Sequence, residues 1–159
     1  MNSLNSPLPV RAAVVDASVA IAMCAKEAIR EALVASELLR LSKAGFSFYA
    51  PGAIVAETLF VLCHKLQNQL LTPSEHAQGV EDFETLMSMI LPPPAGEASL
   101  VCRAESIRTG YSCRRLADGI YIALAEALSV QMPTVLLTFD QDLRSQAARN
   151  APTVVIQTL

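Results

Sequence analysis

Short apolar runs and longer helix-like segments alternate along the chain. The short runs are rich in β-branched residues, whereas in the longer segments apolar residues recur three or four positions apart, as one buried helix face requires. This alternation is typical of β-α-β units around a parallel sheet. The strand-like runs are Arg11–Val15, Phe46–Ala50, Thr134–Phe139 and Thr153–Gln157, with a weaker one within residues 89–94.

Helical patterns fill the intervals between these runs. The clearest start is at Thr72–Glu75, which offers a capping hydroxyl, a proline at the first helical position and an acid at the third. The predicted helices cover 18–41 with a break near Lys26, then 52–70, 73–89, 96–109, 116–130 and 141–149. We therefore expect one α/β domain over residues 11–159, preceded by a disordered leader of residues 1–10.

Composition narrows the class of protein. A chain of 159 residues with 52% hydrophobic residues suits one compact domain with a sizeable core. The formal net charge of -3 excludes a surface coated in positive charge, so any contact with RNA must be local. No apolar stretch reaches the roughly 20 residues that span a bilayer, and Asp16 interrupts the first apolar run, which argues against a signal peptide. We expect a cytoplasmic protein with no membrane partner.

The four cysteines indicate neither a zinc site nor a disulfide framework. They form no C-x-x-C pair, and no histidine lies at the spacing of a zinc finger. We expect buried, reduced thiols at Cys24, Cys63, Cys102 and Cys113.

Four acids each stand alone in an apolar stretch. Asp16, Glu57, Asp118 and Asp140 are each the only formal charge in the segment that surrounds them. Burying an isolated carboxylate costs several kcal/mol or raises its pKa. Each acid also has an ordinary structural interpretation, since Asp16 and Asp140 suit helix N-caps and Asp118 suits a first helical turn. Glu57 lies within its helix and is the hardest to explain in this way.

The predicted topology favours bringing these acids together. Asp16 and Asp140 follow two strands that a doubly wound sheet can place side by side at its switch point. If the helices that carry Glu57 and Asp118 flank that crevice, four carboxylates converge, and they cannot all stay ionised without cations. Oxygen ligands of this kind favour Mg²⁺ or Mn²⁺.

Four blocks carry a family resemblance over almost the whole chain. VVDASVAI at 14–21, AETLFVL at 56–62, LADGIYIALAEAL at 116–128 and LLTFDQDL at 136–143 resemble the signature blocks of PIN-domain ribonucleases, in the family's order. The resemblance implies a three-layer α/β/α sandwich with a central parallel sheet. It also implies a divalent-metal endoribonuclease that leaves a 3'-hydroxyl and a 5'-phosphate.

The same resemblance assigns roles to individual residues. Asp16, Glu57, Asp118 and Asp140 would bind the metal ion and carry catalysis. Ser18 and Thr138 match the small hydroxyl positions beside the first and last acids. Asp142 would assist through water, although an ordinary acid at a helix start is the favoured explanation of this residue. Small PIN proteins often resemble the toxin of a bacterial toxin–antitoxin pair, which makes an antitoxin and a homodimer the expected protein partners and RNA the substrate.

Two features near Asp118 bear on this interpretation. Family members commonly carry alanine after the third acid, whereas this chain has Gly119, which loosens a helix by up to about 1 kcal/mol relative to alanine. Arg114 and Arg115 lie in the most basic segment of the chain, together with Arg103 and Arg108 upstream. They are candidates for RNA contacts, or they form an exposed polar face.

Other folds with acids at strand ends fit less well. A receiver domain needs an acidic pair after the first strand and a late lysine, but no lysine follows Lys65. A haloacid-dehalogenase-type phosphatase needs D-x-D, and Asp16-Ala17-Ser18 lacks the second acid. A PIN-like protein that binds RNA or a protein without cutting it stays open, and a cleavage assay with and without EDTA separates it from a nuclease.

Overall fold

The computed structural model describes residues 10–113 and 117–159. The predicted leader therefore lies outside the described residues, except for residue 10, and so do Arg114 and Arg115. The strands are β1 (Arg11–Val15), β2 (Phe46–Tyr49), β3 (Ile90–Leu91), β4 (Thr134–Thr138) and β5 (Val155–Thr158). The helices are α1 (Ala17–Cys24), α2 (Ala28–Lys43), α3 (Ala53–Gln67), α4 (Pro73–Ser88), α5 (Val101–Thr109), α6 (Asp118–Ser129) and α7 (Gln141–Asn150), with a 3₁₀ turn at Glu97–Leu100.

The strands form one parallel sheet in the order β3-β2-β1-β4-β5. β1 is central, with Val14 opposite Tyr49 on one side and Leu136 on the other, and residues 12–15 are wholly buried. Such an apolar run suits a strand covered on both faces. Helices α1–α4 pack together on one face and α5–α7 on the other, which gives the expected three-layer α/β/α sandwich.

Local signals explain most helix ends. The predicted break near Lys26 is confirmed, because Lys26 adopts a left-handed backbone (φ 58°) between α1 and α2. The capping box at α4 is also confirmed: Glu75 N–H donates to Thr72 Oγ1 at 3.2 Å, and Thr72 N–H donates to Glu75 Oε2 at 2.8 Å. Among the described residues, no helix is both long enough and apolar enough to cross a membrane.

Two expectations need correction. The last strand begins at Val155 rather than at Thr153, because Val154 N–H closes a turn by donating to Ala151 O at 3.0 Å. The cysteines are not all buried: only Cys24 lies in the core, whereas Cys63, Cys102 and Cys113 are exposed. Local composition around a cysteine does not reveal whether its side chain faces the core or the solvent.

Candidate active site

Two of the four acids meet at the carboxyl edge of the sheet. β1 and β4 are adjacent and parallel, and the chain leaves them toward opposite sides of the sheet, so this edge is a topological switch point. Asp16 follows β1 and caps α1, and Asp140 follows β4 and caps α7. The expected placement of both acids, at neighbouring strand ends, is confirmed.

Two hydroxyl side chains tie these turns together. Thr138 Oγ1 donates to Asp16 Oδ2 at 2.8 Å and accepts from Asp140 N–H at the same distance. Ser18 Oγ donates to Asp16 Oδ2 at 2.5 Å and accepts from Phe139 N–H at 3.0 Å. The two hydroxyls therefore connect the β1–α1 turn to the β4–α7 turn, which fixes the first acid relative to the last.

Asp16 is the most deeply placed of the described pocket acids. Its side chain lies almost wholly out of solvent, with the residue 5% exposed. Burial raises the pKa of this carboxyl, and the hydrogen bonds from Ser18 and Thr138 oppose that rise only in part. A positive charge nearby would favour the ionised form.

Glu57 is held by a buried phenol. It lies on α3, half-buried, and Tyr121 Oη donates to its Oε2 at 2.7 Å. Tyr121 is fully buried on α6, and burial together with the neighbouring carboxylate keeps its pKa far above the usual range. The phenol therefore stays protonated and acts as a permanent donor to Glu57.

Asp118 is the first residue of α6 and is 7% exposed. Gln146 of α7 donates through Nε2 to Asp118 Oδ2 at 2.6 Å, and Gln146 itself is fully buried. Because this amide comes from a different helix, the contact sets the carboxylate relative to α7, which also carries Asp140 at its N-cap.

The four acids line one pocket of about 250 Å³, together with Ser18, Ile21, Phe60 and Val61 among others. Its acidic lining offers oxygen donors suited to Mg²⁺ or Mn²⁺. Within residues 10–113 and 117–159, however, no three histidine, cysteine, aspartate or glutamate side chains are grouped closely enough to hold one metal ion together. This arrangement fits a cation such as Mg²⁺, which commonly takes one or two carboxylates and completes its shell with water.

The sequence match is decisive for the family. Residues 13–149 match the model of the PIN domain. The chain belongs to the PIN-domain family. PIN domains are generally nucleases and typically use divalent metals.

The PIN fold is also found by structural comparison. A chain in the "Crystal structure of VapBC2 from Rickettsia felis bound to a DNA fragment from their promoter" is similar, with a TM-score of 0.63. The match covers 92% of this chain and 98% of that chain at 12% sequence identity, a level at which the likeness shows the fold alone. No curated protein matches this chain.

Asp142 is the predicted acid that does not line the acidic pocket, among the site residues that the structure describes. It is exposed to solvent. Its backbone N–H donates to Asp140 Oδ1 at 2.7 Å, which is the contact expected near a helix start. Its role through water stays a prediction.

Tyr121 and Gln146 are the site residues that the sequence did not reveal. Both are fully buried and each holds one acid of the PIN pocket, but their partners are 64 and 28 residues away in sequence. The usable signal is a polar side chain on an otherwise apolar helix face, three residues after Asp118 for Tyr121 and six after Asp140 for Gln146. That signal indicates burial of a polar group but does not name its partner.

Helix packing explains why glycine occupies position 119 in this PIN domain. A Cβ at this position would lie 2.6 Å from the carbonyl oxygen of Ala104, so α6 approaches the backbone of α5 more closely than alanine allows. The departure from the family's usual alanine therefore accompanies a close helix contact. It does not displace Asp118 from the pocket.

Proposed function

We propose that this chain is a divalent-metal-dependent endoribonuclease that acts in the cytoplasm. The observation that carries the proposal is the convergence of Asp16, Glu57, Asp118 and Asp140, from four separate segments, on one pocket at the switch point of a PIN sheet. Mg²⁺ or Mn²⁺ held there, by these carboxylates directly or through water, would neutralise a phosphodiester and activate water for attack on phosphorus.

The chain's own residues prepare the pocket for that reaction. Ser18 and Thr138 hold the Asp16 carboxylate by hydrogen bonds to Oδ2. Tyr121 and Gln146 orient Glu57 and Asp118, so the acids are positioned before substrate arrives. In the proposed reaction, water adds to phosphorus and the P–O3' bond breaks, which gives a 5'-phosphate and a 3'-hydroxyl.

Replacing Asp118 tests the nuclease proposal. Asp118→Asn keeps the size of the side chain and removes its charge, and we expect kcat/KM for RNA cleavage in Mg²⁺ to fall by about a hundredfold or more. EDTA should abolish cleavage by the unchanged protein. Circular dichroism and thermal melting check the fold, and Asp82→Asn, at a partly exposed acid on α4 that does not line the acidic pocket, is the matched control.

Two results would contradict the proposal. One is an Asp118→Asn variant that folds and cleaves RNA at the original rate. The other is an unchanged protein that binds RNA alike with and without EDTA but never cleaves it, which would favour a catalytically silent binding domain.

We further propose that the protein is the toxin of a toxin–antitoxin pair and forms a homodimer. A complex named VapBC2 shares the fold, and α2 exposes Ile29, Leu33 and Leu39, apolar surface that a protein partner would cover. Co-expression with the product of the neighbouring open reading frame should yield a stable complex with reduced RNA cleavage. Light scattering on the isolated chain should give twice the monomer mass. A protein that is monomeric and does not bind the product of that reading frame would contradict the toxin and homodimer proposals.

A further inference from the structure

We propose that Phe60 and His64 form a stacking platform for a base of single-stranded RNA beside the phosphodiester that is cleaved. This inference rests on the proposed function and names how the substrate is held. The platform lies on α3 at the rim of the acidic pocket, where Phe60 is one of the lining residues.

Three side chains form a row along one side of α3 that runs outward from the pocket. Phe60 follows Glu57 by three positions and His64 follows Phe60 by four, so these side chains succeed one another about one turn apart. The Phe60 and His64 rings are stacked, with centroids 6.0 Å apart and planes 16° from parallel. A base leaving the pocket along α3 would therefore meet aromatic faces.

Phe60 has no part in the core. The buried side of α3 consists of Ile54, Thr58 and Leu62, whereas Phe60 is 70% exposed. An aromatic ring with this much solvent exposure gains little of the stabilisation that burial usually provides to a fold. Single-stranded RNA, by contrast, is bound through stacking of its bases on phenylalanine, tyrosine, tryptophan or histidine.

Positive charge lies beside the platform. Lys65, the residue after His64, contacts Glu27 at 2.9 Å, and Arg30 contacts the same carboxylate at 3.3 Å. The Arg30 guanidinium also lies 5.0 Å from the centroid of the Phe139 ring, immediately before Asp140. These contacts connect α3 to the Asp140 turn through two cations and one acid, a net positive charge that could compensate the phosphates flanking a stacked base.

This combination favours RNA over a protein at the platform. A protein contact requires contiguous apolar area, and the other large exposed apolar residues of α3, Val55 and Leu59, are each 39% exposed and lie at least a quarter turn around the helix from Phe60. The parallel ring pair, the adjoining acidic pocket and the two nearby cations together match a nucleotide, which offers a flat base and a phosphate.

Substitutions at Phe60 test the platform by direct binding. Affinity for a short single-stranded RNA carrying a fluorescent adenine analogue is measured in EDTA, where no cleavage occurs. We expect Phe60→Leu to weaken binding about tenfold and to abolish the stacking quench, and Phe60→Trp to retain both. Leu70→Ala, at an apolar residue of matched exposure (69%), should bind as the unchanged protein does.

Cleavage kinetics in Mg²⁺ separate this inference from the nuclease proposal. Phe60→Leu should raise KM with little change in kcat, because stacking holds substrate and transition state alike. If the unchanged protein cleaves RNA while Phe60→Leu matches it in affinity and KM, the platform is wrong and the nuclease stands. An unchanged protein that neither binds nor cleaves RNA overturns both. A Phe60→Leu variant with unaltered RNA binding but a changed mass in light scattering identifies a protein contact and also overturns the platform.

Discussion

Asp16 performs two tasks with one carboxylate. It caps α1 by accepting from Ser18 N–H at 3.3 Å, and it lines the acidic pocket. Asp140 likewise caps α7 through Asp142 N–H and lines the same pocket. The capping interpretation and the pocket interpretation of these acids are therefore both correct, because a helix N-terminus at the switch point faces the crevice.

Asp16 should make the metal-free protein less stable as pH rises. Burial raises its pKa in the folded state above the ordinary value of 3.8, so the folded protein binds the proton more tightly than the unfolded chain. Stability from this group is present below the unfolded pKa and is lost as pH rises through the folded pKa, by up to about 1.4 kcal/mol per pH unit. Asp16→Asn, which can still cap α1, should lack this loss.

The measurement is urea unfolding in EDTA at a series of pH values from 4 to 8, because the stability from this group is lost only above the unfolded pKa. At the upper end of this series we expect Asp16→Asn to be more stable than the unchanged protein, and we expect added Mg²⁺ to stabilise only the unchanged protein. Identical pH profiles for the two proteins would show that the burial of this carboxyl carries no such cost.

At the scale of elements, the position of α6 depends on contacts with α5 and α7. Arg103 of α5 donates to Glu126 of α6 at 2.6 and 2.8 Å, and to the carbonyl oxygen of Asn150 in α7 at 2.8 Å. One guanidinium thus joins three helices. Arg103, a member of the basic segment considered for RNA contacts, is engaged in this structural role.

Gly119→Ala should destabilise the protein although alanine is the better helix former. The helix preference favours alanine by up to about 1 kcal/mol, but the new Cβ would lie 2.6 Å from Ala104 O, and relieving such overpacking costs about 1–3 kcal/mol. The midpoint of urea unfolding should fall. Gly52→Ala is the control, because its Cβ would meet only the flexible Glu97 side chain at 3.4 Å. A higher midpoint for Gly119→Ala would show that α6 can move away from the backbone of α5 without a cost in stability.

At the scale of the whole molecule, the core protects one thiol of the four. Cys24 is fully buried, and burial, with Asp82 and Glu31 nearby, raises its pKa to about 12. The other three cysteines are exposed. Because the thiolate is the reactive form, Cys24 should react only when the fold opens.

Thiol labelling followed by peptide mapping checks this expectation. In native buffer we expect modification at Cys63, Cys102 and Cys113, and in denaturant at Cys24 as well. The rate at Cys24 should follow the rate of unfolding as denaturant is added. Native-state modification of Cys24 as fast as at the other three would mean that the α1 region opens independently of the rest.

The sequence by itself determined the alternation of strands and helices, the parallel sheet and the four acids. These features depend on local periodicity, capping residues and the cost of charge in an apolar run, all readable within about ten to twenty residues. β1 at 11–15 and the break at Lys26 were predicted correctly for this reason.

Only the tertiary structure decided which residues serve the acids and which surfaces stay open. The donors to Glu57 and Asp118, the helix contact that requires Gly119, and the exposure of three cysteines and of Phe60 depend on how helices pack across the sheet. Packing joins residues far apart in the chain, and rotating a helix by a fraction of a turn about its axis changes these contacts while leaving the hydrophobic period unaltered.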